Sequence, residues 1–427
     1  MKSIPSAPKW PRVARLSLAL AAVAGPVYAL AQSTASPQYT VVDLGPVGPS
    51  WSPAQPYKVS GNGLVSGESV LANPSNSGEW VSHAVLWEEK SIKHISRPGL
   101  GGPNSSAYGV NIWGQVVGQA DTKTPDPNGE DFCGSKALTL TQSGNTCVPF
   151  LWQQGSMIAL PRLRNSDGKE GSNGIALQVN DFGIAAGTAE NGELDSTCPG
   201  ASVSPQRIEF KPVIWTSLFP GSAVHVQGLD TVDENPDGVA LAINNLGQVV
   251  GATGTCGPFN STEPISLISL HAVLWQNGKA IDLGSLGGDG KAFGIFATGL
   301  NDHGQVVGTS DTAGDKSFHA FLWQQGHITD LGTLKGDSYS HGTAIGNSGL
   351  VLGVSIDANF NPRAVVWRNG TPTDMNTLVP ANSTLTLQSA CSINDKGEII
   401  GFAALKSNPN ESHAYLAKPV VSSGDGD

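Results

Sequence analysis

The chain has 427 residues, of which only 14% are charged and 53 are glycine, and its formal net charge at pH 7 is −11. An acidic chain lacks the basic surface that nucleic acids and anionic membranes select, so we expect neither as a partner. The apolar fraction of 39%, with ten tryptophans, excludes a disordered chain, and the abundant glycine indicates sheets joined by many tight turns.

Residues 1–31 have the features of a secretory signal peptide. A start with four basic and no acidic residues is followed by an apolar run from Leu16 to Leu30 and by the small-x-small sequence Ala29-Leu30-Ala31. No later segment has the ~20 apolar residues that a membrane helix needs, and residues 418–427 form a polar tail. We therefore expect residues 32–427, with a net charge of −15, to be secreted to the periplasm or the extracellular medium, without a membrane span.

The rest of the chain is dominated by an eight-residue repeat, Asn-x-x-Gly-x-ϕ-ϕ-Gly, in which ϕ is apolar. Five clear copies and two degenerate ones begin at Asn111, Asn180, Asn244, Asn301 and Asn394, and at Ser60 and Gly346. The closing glycines are 45 to 69 residues apart, which is the spacing of propeller blades stretched by insertions. Because Asn can bond the turn backbone and Gly accepts a left-handed conformation, each copy predicts a hairpin between the first two strands of a unit.

Two further elements recur along the chain and predict a third and a fourth strand in each unit. An apolar strand ends in Trp87, Trp152, Trp215, Trp275, Trp323 and Trp367, and the seventh copy, His413 to Leu416, has no Trp. A short strand ending in Asp-Leu-Gly follows, most clearly at Ile281 to Gly284 and Thr329 to Gly332. We expect the six Trp side chains to be wedges between blades, since each buries ~150–250 Å².

The order of these elements indicates a closed ring. The first predicted strand, Tyr39 to Gly45, is of the fourth type, and the last unit stops after its third strand at Leu416. Pairing of Thr40 to Leu44 with Ser412 to Leu416 would complete a seventh four-stranded blade and remove the exposed sheet edge. The sequence therefore predicts an all-β fold, a closed seven-bladed β-propeller over residues 32–417. An open solenoid is the alternative, but it would not need a split unit.

The repeat also resembles a known family. The segment HAFLWQQG-x-x-TDLGTL (residues 319–334), followed by A-x-G-ϕ-N-x-x-GQVVG, is similar to the extracellular HAF-repeat family of bacterial proteins. The resemblance covers essentially all of residues 39–417. Because that family is named for its repeat and its exported context, the resemblance implies an exported propeller and leaves the activity open.

Loops between the second and third strands are longest in the second, third and fourth units, at about residues 119–147, 188–210 and 252–270. They leave the same face of a propeller, and insertions confined to one face commonly build a binding surface. The aromatic candidates for contacts with a partner are Trp80, Trp113, Phe132 and Phe259. The alternative is neutral drift in length, because loop closure costs little per added residue.

Five cysteines predict two disulfides and one free thiol. Cys133 and Cys147 lie in one inserted loop, and we expect them to form a disulfide. Cys198 and Cys256 lie in equivalent loops of neighbouring units, and we expect them to form a second one. Cys391 lies within a first-type strand, where a buried free thiol is expected.

Four histidines, His83, His271, His319 and His413, occupy one repeat position. They could form a metal ring, but the other units have Pro149, Pro212 and Arg363 there, so we favour the interpretation that each histidine bonds the backbone of its own blade.

An acidic loop from Asp121 to Asp131 offers oxygen ligands for calcium at Asp126, Asn128, Glu130 and Asp131. The loop does not have the spacing of a known calcium motif, so we expect no cofactor and keep calcium as the alternative.

Sequence motifs for catalysis are absent: there is no G-x-S-x-G, no H-E-x-x-H and no P-loop. We therefore expect an exported, monomeric, non-catalytic binding or scaffold protein that holds an unidentified protein or a glycan on the inserted loops of blades two to four. The alternative is a propeller hydrolase or lyase that acts on extracellular polysaccharide. An enzyme of that kind would gather two carboxylates within a few ångströms at the mouth of the central channel.

Overall fold

The computed structural model describes residues 38–45, 55–72, 80–89, 91–96, 99–130, 132, 143–198, 207–256 and 267–420. The predicted signal peptide lies outside these residues. Within them, seven antiparallel sheets form the seven blades of a propeller, which confirms the predicted fold class. One 3-10 helix, Met375–Thr377, interrupts the strands of the described residues.

Six blades follow one another along the chain, and each has four strands in sequential order. The first three blades consist of β2 (Gln55–Val59), β3 (Leu64–Ala72), β4 (Trp80–Glu88) and β5 (Ser91–His94); β6 (Gly101–Val110), β7 (Val116–Pro125), β8 (Asn145–Gln153) and β9 (Ser156–Ala159); and β10 (Gly174–Val179), β11 (Ala185–Leu194), β12 (Ile208–Thr216) and β13 (His225–Gly228). The next three consist of β14 (Asp237–Ile243), β15 (Val249–Cys256), β16 (Leu267–Gln276) and β17 (Lys279–Asp282); β18 (Ile295–Leu300), β19 (Val306–Asp311), β20 (Phe318–Gln324) and β21 (His327–Asp330); and β22 (Tyr339–Ile345), β23 (Val351–Ile356), β24 (Pro362–Arg368) and β25 (Thr371–Asp374).

The seventh blade joins the two ends of the described chain. It contains β26 (Leu385–Leu387), β27 (Ser392–Ile393), β28 (Ile399–Leu405), β29 (Asn408–Pro419) and β1 (Tyr39–Gly45). β1 pairs antiparallel with β29, so the predicted closure is confirmed. Thr40 lies opposite Lys418 rather than Leu416, a shift of two residues that keeps the same side chains on each face of the sheet.

The first strands of the blades line the central axis, because each contacts the first strand of the next blade all the way around the ring. In blades one to six a bulge shifts the register within this strand. The bulge presses a main-chain carbonyl against the closing glycine of the repeat. A Cβ at Gly251 would lie 1.9 Å from the carbonyl oxygen of Val239, and one at Gly308 would lie 2.1 Å from that of Phe296. Only glycine fits at these two positions, because the carbonyl oxygen occupies the space that the Cβ of any other residue would need.

The repeated Trp side chains are wedges between blades, as predicted. Trp87, Trp215 and Trp367 are fully buried. The indole N–H of Trp215 donates to the Pro161 carbonyl (2.8 Å), and that of Trp367 donates to the Leu331 carbonyl (2.8 Å), in each case on the link that leaves the preceding blade. Trp215 and Trp367 therefore combine apolar burial with a hydrogen bond across the blade boundary.

Candidate functional site at the channel mouth

The Asn of the repeat joins neighbouring blades as well as closing its own turn. The Asn244 Oδ1 accepts the backbone N–H of Leu246 (3.1 Å) and of Gln248 (2.9 Å), while its Nδ2 donates to the Asn301 carbonyl in the next blade (3.0 Å). Four other turns make the same bond to the next blade, at Asn111, Asn180, Asn301 and Asn394. These turns thus form a ring on one face of the propeller, which we call the turn face.

In five of the seven turns, the second residue of the repeat contributes a polar side chain to a second ring. We call the three carboxylates Asp181, Asp302 and Asp395, with the amides Asn245 and Asn347 between them, the carboxylate ring. The Asn245 Nδ2 donates to the Asp181 Oδ2 (3.1 Å), and the Asn245 backbone N–H donates to the Asp302 Oδ1 (3.0 Å). The Asn347 Nδ2 bridges Asp302 (3.2 Å) and Asp395 (2.9 Å). Because these turns directly follow the innermost strands, the carboxylates lie at the mouth of the central channel.

A lysine complements the carboxylate ring on the side of blade one. Lys58 lies in β2, one residue before the end of that strand. Burial lowers the pKa of its ammonium, while the charges of Asp181 and Asp395 oppose this shift. Gly61 follows the first residue of the blade-one turn and places no side chain in the ring. The charge of Lys58 therefore lies in the gap between Asp395 of blade seven and Asp181 of blade three. Asp181 and Asp302 are half-buried and Asp395 is exposed, so solvent and a ligand can reach them.

Apolar side chains project from the turns beside this mouth. Trp113, Phe182 and Leu246 occupy one position in consecutive turns and are 66%, 62% and 67% exposed. Phe219, which is 43% exposed, lies against Gly183 of the blade-three turn. We call these four residues the apolar arc. The Trp113 indole N–H donates to the Asp181 carbonyl (2.9 Å), which ties the arc to the carboxylate ring. Exposed apolar patches of this kind mark binding sites.

The channel wall below the ring provides no activated thiol. Cys391 is a free cysteine, and burial raises the pKa of its thiol to about 11. Tyr57 and Tyr108 lie with ring centroids 4.8 Å apart, and burial raises the pKa of both hydroxyls. The thiol and the two hydroxyl groups are therefore protonated at neutral pH, and the acidic and basic residues at the mouth are the aspartates of the carboxylate ring and Lys58.

The predicted calcium residues lie on the opposite face, where they hold the backbone. The Asp126 Oδ1 accepts the N–H of Asn128 (2.7 Å), and the Glu130 Oε1 accepts the N–H groups of Arg207 (2.6 Å) and Ile208 (3.0 Å). Burial and the neighbouring charge of Glu190 raise the pKa of Glu130 to about 9. A protonated Glu130 is a poor ligand for a hard cation, and Asp131 lies outside the described residues. Calcium at this loop stays the untested alternative to the expectation of no cofactor.

Among the described residues, two groups of acidic or sulfur side chains come close enough to hold a cation. One consists of Asp195 with Cys198 and Cys256, whose sulfurs are already joined in a disulfide. In the other, Asp289 pairs with Lys291 (2.7 Å), and Asp311 accepts the N–H of Phe293 (3.0 Å). Neither group presents a free set of ligands.

The three predicted binding-face aromatics that the structure describes are not brought together. Trp80 is half-buried at the start of β4, and Trp113 lies on the turn face instead of the face that bears the inserted loops. Phe132 is 1% exposed and packs against Phe210 in the core. Phe259 lies outside the described residues. Inserted-loop length therefore gave no guide to where the exposed aromatic side chains gather.

The predicted Cys198–Cys256 disulfide is confirmed, with a Cα–Cα distance of 4.8 Å. It links β15 of the fourth blade to the loop after β11 of the third. Cys147 is also disulfide-bonded, and its predicted partner, Cys133, lies outside the described residues.

Three of the four repeated histidines pair with an aspartate of their own blade. The Nδ1 of His271 lies 2.8 Å from Asp282, that of His319 lies 2.8 Å from Asp330, and that of His413 lies 2.8 Å from Asp43. For these three histidines the expectation of a backbone partner was wrong. The Asp of the neighbouring Asp-Leu-Gly strand lies within hydrogen-bond distance of the imidazole and takes that place. Strand register also places Val148 and Lys211, not Pro149 and Pro212, at the histidine position.

No family model and no curated protein sequence matches the chain, so the resemblance to the HAF-repeat family stays a prediction. Among the described residues no helix is long and apolar enough to cross a membrane.

Solved structures similar to this chain are propellers. An acylaminoacyl peptidase from Pyrococcus horikoshii has a TM-score of 0.46 and 12% identity, with 86% of this chain and 52% of that chain covered. The β-propeller domain of the Trilobed protease from Pyrococcus furiosus has a TM-score of 0.48 and 8% identity, with 87% and 96% covered. A gluconolactonase from Xanthomonas campestris has a TM-score of 0.35 and 9% identity, with 90% of each chain covered. The chain spans about half the length of the acylaminoacyl peptidase.

The similar solved structures include peptidases and a lactonase. The prediction of a non-catalytic binding or scaffold protein with its partner on the inserted loops was wrong on the residues of this chain, because carboxylates converge on the turn face rather than on the inserted loops. The likeness itself extends to the fold alone, and the chemistry must come from residues of this chain. Those residues lie on the turn face. Carboxylates converge there at the channel mouth, which is the feature by which the sequence analysis distinguished an enzyme from a scaffold.

Proposed function

We propose that this protein is a hydrolase that cleaves glycans at the channel mouth of the turn face. The observation that carries the proposal is the carboxylate ring, in which Asp181, Asp302 and Asp395 are held by two bridging amides beside Lys58. Hydrolysis of a glycosidic bond needs one carboxyl group to protonate the leaving oxygen and a second one to activate water. A ring of three supplies both groups on one accessible surface.

The positions of the three carboxylates suggest their roles. Asp302 belongs to blade five and lies across the mouth from Lys58 of blade one, so we assign to it the transfer of a proton to the glycosidic oxygen. The charges of Asp181 and Asp395 act on Lys58, so we assign the role of the base to one of these two carboxylates. One of them takes a proton from water as the water oxygen bonds to the sugar C1 and the glycosidic C1–O bond breaks.

The apolar arc provides the surface on which sugar rings would stack. An aromatic face offers a flat apolar contact that matches the C–H face of a pyranose, and the Trp and Phe rings of the arc are exposed. Because Trp113 is hydrogen-bonded to the backbone of Asp181, a sugar stacked on this ring lies beside the carboxylates.

The test uses the full chain from residue 32, incubated with a panel of polysaccharides, and measures newly formed reducing ends. We expect Asp302→Asn to lower kcat/KM by ~10²–10⁴-fold, the usual contribution of a positioned acid or base. The matched control is Asp167→Asn, an exposed aspartate in the link between blades two and three, which should leave activity unchanged. Absence of hydrolysis over the whole panel, or full activity in both Asp302→Asn and Asp395→Asn, contradicts the proposal. Products with an unsaturated terminal sugar would indicate a lyase instead.

We also propose that the protein works outside the cytoplasm as a monomer. Support comes from the Cys198–Cys256 disulfide, since disulfides persist mainly in oxidising compartments, and from the signal-peptide features of residues 1–31. Fractionation of cells that express the full sequence, followed by size-exclusion chromatography of the exported form, checks both points. A reduced protein in the cytoplasm or a stable dimer would contradict them.

A further inference from the structure

A groove of about 770 Å³ opens on the turn face between blades four, five and six. Its volume lies within the ~300–1,000 Å³ range of sites for small ligands. Its floor is apolar and includes Leu274, Leu322 and Trp323. Its rim is formed by carboxamide side chains, namely Gln248, Gln276, Gln305, Gln324, Gln325, Asn347 and Asn369. The groove differs from the carboxylate ring in its chemistry, although the two are neighbours.

The lining of the groove consists of amide, hydroxyl and apolar side chains together with one histidine. Of the described residues that line it, none is Asp, Glu, Lys or Arg, and His303 is the one titratable side chain. A carboxamide offers one acceptor and two donors, which suits neighbouring hydroxyl groups that both donate and accept hydrogen bonds. An ionic ligand would find no carboxylate, ammonium or guanidinium partner among these residues. The groove is therefore suited to an uncharged, hydroxyl-rich ligand.

Two observations show that the amides and the aromatic floor are presented to a ligand. Gln305 is fixed by its neighbours, since its Oε1 accepts from Asn301 (2.7 Å) and its Nε2 donates to the Gln324 Oε1 (2.6 Å). The Nε2 of Gln324 is not used in that bond, and Gln324 is exposed. Trp323 is only half-buried, whereas the equivalent Trp215 and Trp367 are fully buried. The repeat Trp of blade five thus has an accessible surface beside exposed amides.

Asn347 connects the groove to the carboxylate ring. It lines the groove, and its Nδ2 donates to Asp302 and Asp395. A chain lying in the groove therefore continues past Asn347 to these carboxylates. The negative charge of the ring repels an anionic chain that approaches along this path, which favours an uncharged one.

We propose that the groove is the subsite for an uncharged glycan chain, and that the substrate of the hydrolase is a neutral polysaccharide rather than a uronate-containing one. This inference rests on the proposed function. Sugar rings stack on Trp323, their hydroxyl groups bond the rim amides, and the bond to be cleaved lies beyond Asn347 at the carboxylate ring.

The experiment measures binding separately from cleavage. Calorimetric titrations use Asp302→Asn as the background, with hexasaccharides of glucan, xylan and mannan as neutral probes and an oligogalacturonate of equal length as the anionic one. We expect at least one neutral probe to bind more tightly than the anionic one. Adding Gln305→Ala and Gln324→Ala should weaken that binding about tenfold, the effect of losing one or two hydrogen bonds.

Blade two supplies a matched control. Gln153 occupies the position of Gln324 and accepts from Gln115 (3.1 Å), but it lies outside the groove. Gln153→Ala should change the dissociation constant by less than about twofold, since it removes no contact with the ligand. Thermal unfolding confirms that each variant is folded.

The outcomes separate the two proposals. Loss of binding in the groove variants, with no cleavage by the unsubstituted protein, supports the subsite and overturns the hydrolase. Cleavage with an unchanged KM in the groove variants overturns the subsite and leaves the hydrolase. Tighter binding of the oligogalacturonate, binding of none of the neutral probes, or an equal effect of Gln153→Ala also overturns the subsite.

Discussion

The side-chain amide of Asn244 donates a hydrogen bond to the backbone carbonyl of Asn301, which lies 57 residues later and one blade further around the ring (3.0 Å). One repeated residue thus stabilises both its own turn and the contact between neighbouring blades. It closes a turn through its oxygen and joins two blades through its nitrogen. The same ring of turns carries the carboxylates of the candidate site, so the stability of the fold and the geometry of the site depend on the same positions.

Replacement of Asn244 should therefore destabilise the propeller. Asn244 is 5% exposed, and Asn244→Ala removes its bonds to Leu246, Gln248 and Asn301. Leaving these buried polar groups unsatisfied should lower the free energy of unfolding by about 2–4 kcal/mol. Urea denaturation measures the change. Asn382→Ala, at an exposed turn residue, is the control and should have little effect. A loss no larger than that of the control would show that the inter-blade bonds contribute nothing.

Removal of the closing strand should open the ring. Without residues 32–45, β29 loses its partner from Tyr39 to Gly45 and presents an unpaired edge of the kind that leads to aggregation. Leu44 also packs in the core cluster that contains Trp87 and Leu416. We expect a lower melting temperature and aggregates in size-exclusion chromatography. A shorter deletion, of residues 32–37, keeps β1 and should behave as the unsubstituted protein does. A monomeric product of the longer deletion with an unchanged melting temperature would disprove closure by β1.

The fold could be predicted from the sequence because the Asn and Gly positions of the repeat are places where few other residue types fit. The closing glycine, such as Gly251, has a carbonyl oxygen where a Cβ would be, and the Asn has donors and acceptors for two blades. The carboxylate ring could not be predicted from the sequence in the same way. Its position is occupied by Gly61 in one blade, Ile112 in the next and Asp181 in the third, so no motif marks it. Only the closed ring brings together carboxylates that are far apart in the chain.

The histidine partners could have been found from the sequence. In three blades the residue at the histidine position is followed eleven residues later by Asp, as in His271 and Asp282 or Arg363 and Asp374. The prediction that the site lies on the inserted loops failed for a different reason. Their length is a property that drift changes at little cost, whereas exposed apolar side chains that lie together, such as those of the apolar arc, are the feature that marks a contact surface.

The buried carboxyl pair on the opposite face should make stability fall with rising pH. Burial and the charge of Glu190 raise the pKa of Glu130 from 4.5 to about 9, and burial raises that of Glu190. The folded chain therefore keeps a proton that the unfolded chain releases above pH ~4.3. The stabilisation is complete below that pH and is lost as the pH rises towards 9.

Glu130→Gln tests this pH dependence. Glutamine keeps an acceptor for the N–H groups of Arg207 and Ile208 and can donate to Glu190 without ionising. Urea denaturation at pH 5, 7 and 9 should show a flatter profile for this variant than for the unsubstituted protein. Glu88→Gln, at an exposed strand end, should leave the profile unchanged. Parallel profiles for Glu130→Gln and the unsubstituted protein would mean that the pair does not retain a proton.

Substitution of Trp113 should weaken substrate binding without disturbing the chemistry or the fold. The indole is 66% exposed, so Trp113→Ala should change the free energy of unfolding by no more than ~0.5 kcal/mol. Loss of a stacking surface worth ~0.5–1.5 kcal/mol should raise KM about two- to tenfold while kcat stays constant. Ile92→Ala removes an exposed apolar side chain away from the channel mouth, on the outer strand β5 (38% exposed), and should change neither constant. A fall in kcat with an unchanged KM would mean that Trp113 positions Asp181, to whose carbonyl its indole N–H donates. It would also mean that the apolar arc does not bind substrate.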